Sequence, residues 1–392
     1  MKHYILLITS LLYLLDIHYS HAQLYTQSKA EKALQTYREE LLGFRKEHPK
    51  KRNLPDAKFF FFGMGNRAKM FYKDGRIISL SDKRVIRRWK VKSALIVPSE
   101  YLVHLELQDG RAVDIQEDET GVYVYENNLQ IILAESPITL PTFSDKKSPS
   151  VLRTLHHELL VNIQDGKPLV NTIVYTKPWF KSAAIITMAL KKTNNLPLVE
   201  AWIKGLNTPF DRNNNAGYAE ADNLGQVLYM LSTVADKKHP LVTKILDEAD
   251  NFDKGGFIEG RTADMLPHPV YQTKWLKFGL KEMQLPDKYK IPAQYDSYSS
   301  LIWWDFQKDY VKGDQVDDNL ALNSPQYVWA EDHFFKQNKG PISAREYPLT
   351  WEAEVTDLKY ESLGVIDQTL VDLRIAPTNA WQAAEMLLLL LE

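Results

Sequence analysis

Asp222-Asn223-Leu224-Gly225-Gln226-Val227-Leu228-Tyr229-Met230-Leu231 is the stretch on which the reading of the fold turns. Leu224, Val227, Leu228 and Leu231 fall at i, i+3, i+4 and i+7, the spacing of one apolar helix face. The pattern returns at Trp381, Ala384, Leu388 and Leu391. Similar stripes predict helices over residues 151–163, 179–192, 240–251, 270–280 and 298–306, with shorter ones over 196–206 and 327–335 and near Trp351. Pro240 suits the first position of its helix, where a missing N–H costs nothing. No alternation of strands and helices and no glycine-rich phosphate loop interrupts this series, which argues against a nucleotide-binding sheet.

Upstream the periodicity is different. Residues 28–47 read as a helix ended by Pro49, and then come short runs rich in β-branched and aromatic residues: 59–62, 68–72, 76–80, 84–97, 101–107, 112–116, 122–125 and 131–133. Lys73-Asp74-Gly75, Gln108-Asp109-Gly110, Glu119-Thr120-Gly121 and Glu126-Asn127-Asn128 separate them as turns. The expected organisation is a signal peptide over 1–22, a helix and antiparallel β module over 23–135, a linker rich in Pro, Ser and Lys over 136–150, and a helical domain over 151–392.

The leader is read from Lys2 and His3, an apolar run over 5–15 too short to span a bilayer, and Ser20-His21-Ala22, which places cleavage before Gln23. An exported chain, periplasmic or secreted and free of the membrane after cleavage, is expected. The chain has no cysteine, which excludes disulfides and thiolate chemistry. A net charge of -2 with both signs interspersed disfavours nucleic acid and anionic membrane as partners. Nine Trp and twenty Tyr suit stacking on sugar rings, although most such residues serve a core.

Two passages carry a resemblance. Thr176-Lys177-Pro178-Trp179-Phe180-Lys181-Ser182-Ala183-Ala184 is similar to the Trp-x-Arg-Asp-Ala helix start of glucoamylase-like proteins, and Glu220-Ala221-Asp222-Asn223-Leu224-Gly225 resembles their acidic Asp-Asn-x-Gly start. The resemblance, over about residues 151–391, implies a mainly α fold: a six-hairpin (α/α)6 toroid with a sugar-binding funnel, here preceded by a small antiparallel β-rich domain. Lys181-Ser182 stands where that pattern has Arg-Asp.

Candidate chemistry follows from carboxylates near aromatic residues. Asp222 and Glu220 precede a strong helix behind the polar run 211–217. Being two apart, they point in different directions, and Asp222 serves equally as a helix cap or as a general base. Glu352, beside Trp351, is the candidate acid, because a desolvated carboxyl stays protonated near neutral pH; a solvated helix start is the alternative. Lys177, Trp179, Asp211, Arg212, Asn223, His268, Gln272, Tyr298, Trp303, Asp332, His333 and Trp351 are the candidate substrate contacts, most of them at helix mouths. His156-His157-Glu158 has adjacent histidines that cannot face one metal from a helix, so no metal and no cofactor is expected. No Gly-x-Ser-x-Gly elbow occurs.

The leading expectation is a monomeric exported glycoside hydrolase acting on oligo- or polysaccharide, with Asp222 as base and Glu352 as acid across a separation of roughly 6.5 to 9.5 Å. A polysaccharide lyase using His268, Tyr271 or Tyr298 is one alternative. A non-catalytic glycan-binding protein, suggested by Lys181-Ser182, is the other.

Overall fold

A computed structural model describes residues 25–293, 341–355 and 358–391. The expected leader, the helices over 298–306 and 327–335, and the candidates Tyr298, Trp303, Asp332 and His333 lie outside the described residues.

Helix α1 (Gln27–Glu47) forms because Ala30, Leu34, Tyr37, Leu41 and Phe44 recur every three or four residues and bury one stripe. Thr26 caps its first turn through Oγ1, and Arg45 and Lys46 complement the dipole at its end. After the short strand β1 (Lys51–Arg52), β2 (Phe59–Phe62), β3 (Met70–Lys73), β4 (Arg76–Ser79) and β5 (Val85–Arg88) form a four-stranded antiparallel sheet in sequence order. Asp74 and Gly75, at φ 48° and 71°, make the two-residue turn that the Asp-Gly pair predicts between β3 and β4.

A second antiparallel sheet is a five-stranded meander of β6 (Val91–Val97), β7 (Leu102–Leu107), β8 (Ala112–Glu117), β9 (Gly121–Glu126) and β10 (Leu129–Glu135). The run expected as one strand over 84–97 therefore divides. The Trp89 N–H donates to Gly75 O beside the first sheet, while Lys90 O accepts from Gln108 N–H beside the second. Neighbouring backbone groups claimed by different partners cannot continue one ladder.

The rest of the chain interleaves helices with small strand pairs. Helix α2 (Pro149–Leu160) leads to the hairpin β11 (Ile163–Gln164) and β12 (Lys167–Pro168), and then come α3 (Phe180–Lys192), α4 (Pro197–Lys204), α5 (Asp222–Ser232), α6 (Pro240–Phe252) and α7 (Pro269–Glu282). Strand β13 (Ile342–Ser343) pairs in parallel with β1, from the other end of the chain. Strand β14 (Trp351–Ala353) pairs with β15 (Ile375–Pro377) on either side of the short helix α8 (Gln368–Asp372), and α9 (Ala380–Leu391) completes the described chain.

This is a mixed α and β fold, not the mainly α (α/α)6 toroid, and the six-hairpin glycosidase resemblance fails with it. A toroid needs helical hairpins in succession. Here Trp351, expected near a helix, lies in β14, and β1–β13 ties the start of the chain to a late segment. Helical periodicity fixes that a helix exists and which face it buries, but not where its neighbours stand. The glycine of the Asp-Asn-x-Gly stretch has a packing reason: a Cβ on Gly225 would sit 2.1 Å from the carbonyl carbon of Trp275, and one on Gly279 would sit 2.5 Å from Gly225 O. Helices α5 and α7 cross backbone against backbone there. One apolar core runs from the phenylalanines of β2 through α2, α3, α5 and α7 to α9, so sheets and helices share it.

Candidate active site

The entrance to α3 is knitted to the entrance to α5 by the polar run 211–217. The Asp211 carboxylate accepts the Phe180 N–H at 2.5 Å and the Asn213 N–H at 2.9 Å, while the Asn213 side chain donates to Pro178 O at 2.6 Å. The Asn223 side chain accepts the Asp211 N–H, and the Asn214 side chain donates to Glu220 Oε1 at 2.8 Å. Asx turns of this kind give a loop without regular structure a fixed path.

This framework places Lys181, the second residue of α3, with its Nζ 4.7 Å from the centre of the Trp381 ring. Four carboxyls feel its charge: Asp211, Glu220, Asp222 and Glu352. Burial pushes each of them up, and the lysine pulls each back. Glu352 reaches about 7, with burial opposed by the Tyr175 hydroxyl and Lys181. Asp222 reaches about 6, with Lys181 and the Gln226 amide opposing burial. Glu220 reaches about 8, because the charge of Asp222 adds to burial.

Next to Lys181 lies a cavity of about 740 Å³. Among the described residues, Tyr175, Trp179 and Trp381 supply aromatic wall, Lys177, Lys181, Arg212 and Lys359 supply positive charge, and Glu352 and Asp264 are its acidic members. Glu352 faces it because alternate strand residues point to opposite sides, and Trp351 and Ala353 on either side of it are buried in the core. Glu352 Oε1 accepts the Tyr175 hydroxyl at 2.6 Å, whereas Oε2 is shielded from solvent and has no hydrogen-bond partner among the described residues. Asp264 differs: although burial opposes it, hydrogen bonds from His268 Nε2 at 2.8 Å, the Thr262 hydroxyl and the Leu266 N–H bring it down to about 2.

Of the residues singled out in the sequence, Lys177, Trp179, Arg212 and Glu352 line the cavity. Asp211, Glu220, Asp222 and Asn223 stand outside its lining, in the hydrogen-bonded layer that positions Lys181 and the loop. His268 reaches the site through Asp264. Gln272 turns inward and clasps Gly260, accepting its N–H and donating to its O, and Trp351 belongs to the core rather than to the cavity wall. His157 is buried against Phe60 and Tyr101 with Nε2 3.0 Å from Phe61 O, and among the described residues no group of three potential metal ligands forms.

Sequence reasoning missed Tyr175, Asp264 and Trp381, and treated Lys181 only as a departure from a pattern. Trp381 opens α9 as Trp179 opens α3, so an aromatic residue at a helix mouth was a usable signal. Nothing local marks Tyr175 as the partner of a residue 177 positions away. No protein-family model matches the chain, and neither a curated protein nor a solved structure matches it.

Proposed function

We propose that the cavity holds part of an oligo- or polysaccharide and hydrolyses a glycosidic bond, with Glu352 as the general acid, in an exported protein. The observation that carries this reading is the Glu352 carboxyl. Its pKa of about 7 keeps a proton available at neutral pH. Because Oε1 already accepts from Tyr175, that proton belongs on Oε2, the oxygen without a hydrogen-bond partner among the described residues. Trp179 and Trp381 give the same wall the flat apolar faces that sugar rings stack on.

In this reading a turn of the Glu352 carboxyl brings Oε2 out of its shielded position to the substrate, and its proton passes to the glycosidic oxygen as the bond to the anomeric carbon breaks. Water supplies the new C–O bond. Asp264 is an ionised carboxylate on the wall: its charge stabilises the developing positive charge, the proton of the incoming water passes to solvent, and Glu352 regains its proton from solvent before the next turnover. Asp222, expected as the base, is fully buried outside the lining, where it accepts the Gln226 amide and feels the charge of Lys181. That seclusion favours a second reading, glycan binding without turnover.

Release of reducing ends from a panel of neutral and acidic polysaccharides separates the two. Hydrolysis by the wild-type chain and a loss of about 10² or more in Glu352→Gln support the acid assignment. Retention of sugars with no release on any member of the panel supports binding alone, and full activity in Glu352→Gln removes Glu352 from the chemistry.

A further inference from the structure

The near-neutral net charge of the chain conceals a local excess. Lys83-Arg84-Val85-Ile86-Arg87-Arg88-Trp89-Lys90-Val91-Lys92 holds six basic residues and no acidic one. It comprises β5 and the start of β6, which are the edge strands of the two sheets. A groove of about 310 Å³ lies where they meet, walled by Arg87, Arg88, Trp89, Lys90, Arg111 and Glu126 among others.

The walls are built rather than merely basic. Arg111 donates to Asp109 and to Glu126, whose other oxygen accepts the Trp89 indole N–H at 3.2 Å, so the tryptophan ring is held in the wall. Arg87 stands 4.0 Å from Glu126. Arg88 and Lys90, both exposed, make no ion pair with any described residue. The groove therefore combines an aromatic surface, two carboxylates already bonded on one side, and uncompensated positive charge.

We propose that this groove on the β sheets is a binding site for an acidic polysaccharide, separate from the Glu352 cavity. A uronate chain offers carboxylates to Arg88 and Lys90, hydroxyl donors to the remaining lone pairs of Asp109 and Glu126, and a ring face to Trp89. A phosphate backbone or an anionic lipid surface presents acceptors to those two carboxylates and is repelled by them. The site does not depend on hydrolysis in the other cavity, and its test reads binding alone.

The test is affinity electrophoresis of the full chain in native gels containing polygalacturonate or neutral dextran, with single-stranded DNA and phosphatidylglycerol vesicles as competitors. The expected result is retardation by polygalacturonate but not dextran, relieved by added salt, with affinity lowered about tenfold or more in Arg88→Glu/Lys90→Glu. Both positions are on the surface, so the double variant keeps the wild-type circular dichroism and melting temperature. Absence of retardation, equal retardation of the folded double variant, or tighter binding of DNA or vesicles than of polygalacturonate would overturn the proposal.

Discussion

Burial sets the electrostatics of the candidate site, and the charge of Lys181 works against it. One ammonium opposes the burial penalty of four carboxyls, and it lowers the pKa of Glu352 in doing so. Replacing it with methionine keeps an unbranched side chain one atom shorter and removes the charge. If Glu352 is the acid, the kcat/KM profile of the wild type falls as it loses its proton through about pH 7, and in Lys181→Met that alkaline limb is expected at higher pH. An unmoved limb would mean that another group sets it. At this scale the sequence was partly legible: the acidity of Glu352 was expected from a neighbouring tryptophan, but Trp351 points to the opposite face of β14. The desolvation that raises Glu352 belongs to a site assembled by Tyr175, Lys181 and Trp381, which meet only after folding.

Among the elements, the crossing of α5 and α7 constrains the site most, because α5 begins at Asp222 and α7 follows the loop that carries Asp264. Gly225 and Gly279 allow the close approach, and the contact at Gly225 is with backbone, which cannot rotate away. Gly225→Ala is therefore expected to lower stability by about 1 to 3 kcal/mol, read as a lower denaturant midpoint, despite the better helix propensity of alanine. An unchanged midpoint would contradict the crossing. The stripe of Leu224, Val227, Leu228 and Leu231 made α5 legible, and Asp74-Gly75 made its hairpin legible, because both signals are local. Strand β14 was not, since three residues owe their conformation to pairing with β15, more than twenty positions away. The toroid failed for the same reason: succession along the chain says little about which helices meet.

Across the whole molecule, the shared core of sheets and helices buries an unusual set of titratable groups, and their linkage to folding has a definite sign. Glu158 and Glu220, pushed to about 8, and Glu352, at about 7, hold protons in the folded chain that the unfolded chain has released above its ordinary value near 4.5. Lys69, lowered to about 7 by burial, works in the opposite direction above that pH, where it is one group against Glu158 and Glu220. Stability should therefore fall as pH rises from about 6.5 to about 8. Below that window the buried histidines His48, His156 and His157, lowered to about 4, 3 and 3, remove stability as pH falls, because the unfolded chain takes up protons they refuse. Melting temperatures across the upper window check the sign, and a rise toward pH 8 would show that these carboxyls are ionised in the folded chain.

The claim on which the functional reading rests is that Glu352 carries a proton near neutral pH. Its side-chain carboxyl carbon can be followed by carbon-13 NMR of chain labelled at glutamate, with Glu352→Gln identifying the resonance. A titration near 7 that is absent from the variant is expected; a Glu352 resonance that titrates near the ordinary 4.5 would overturn the assignment.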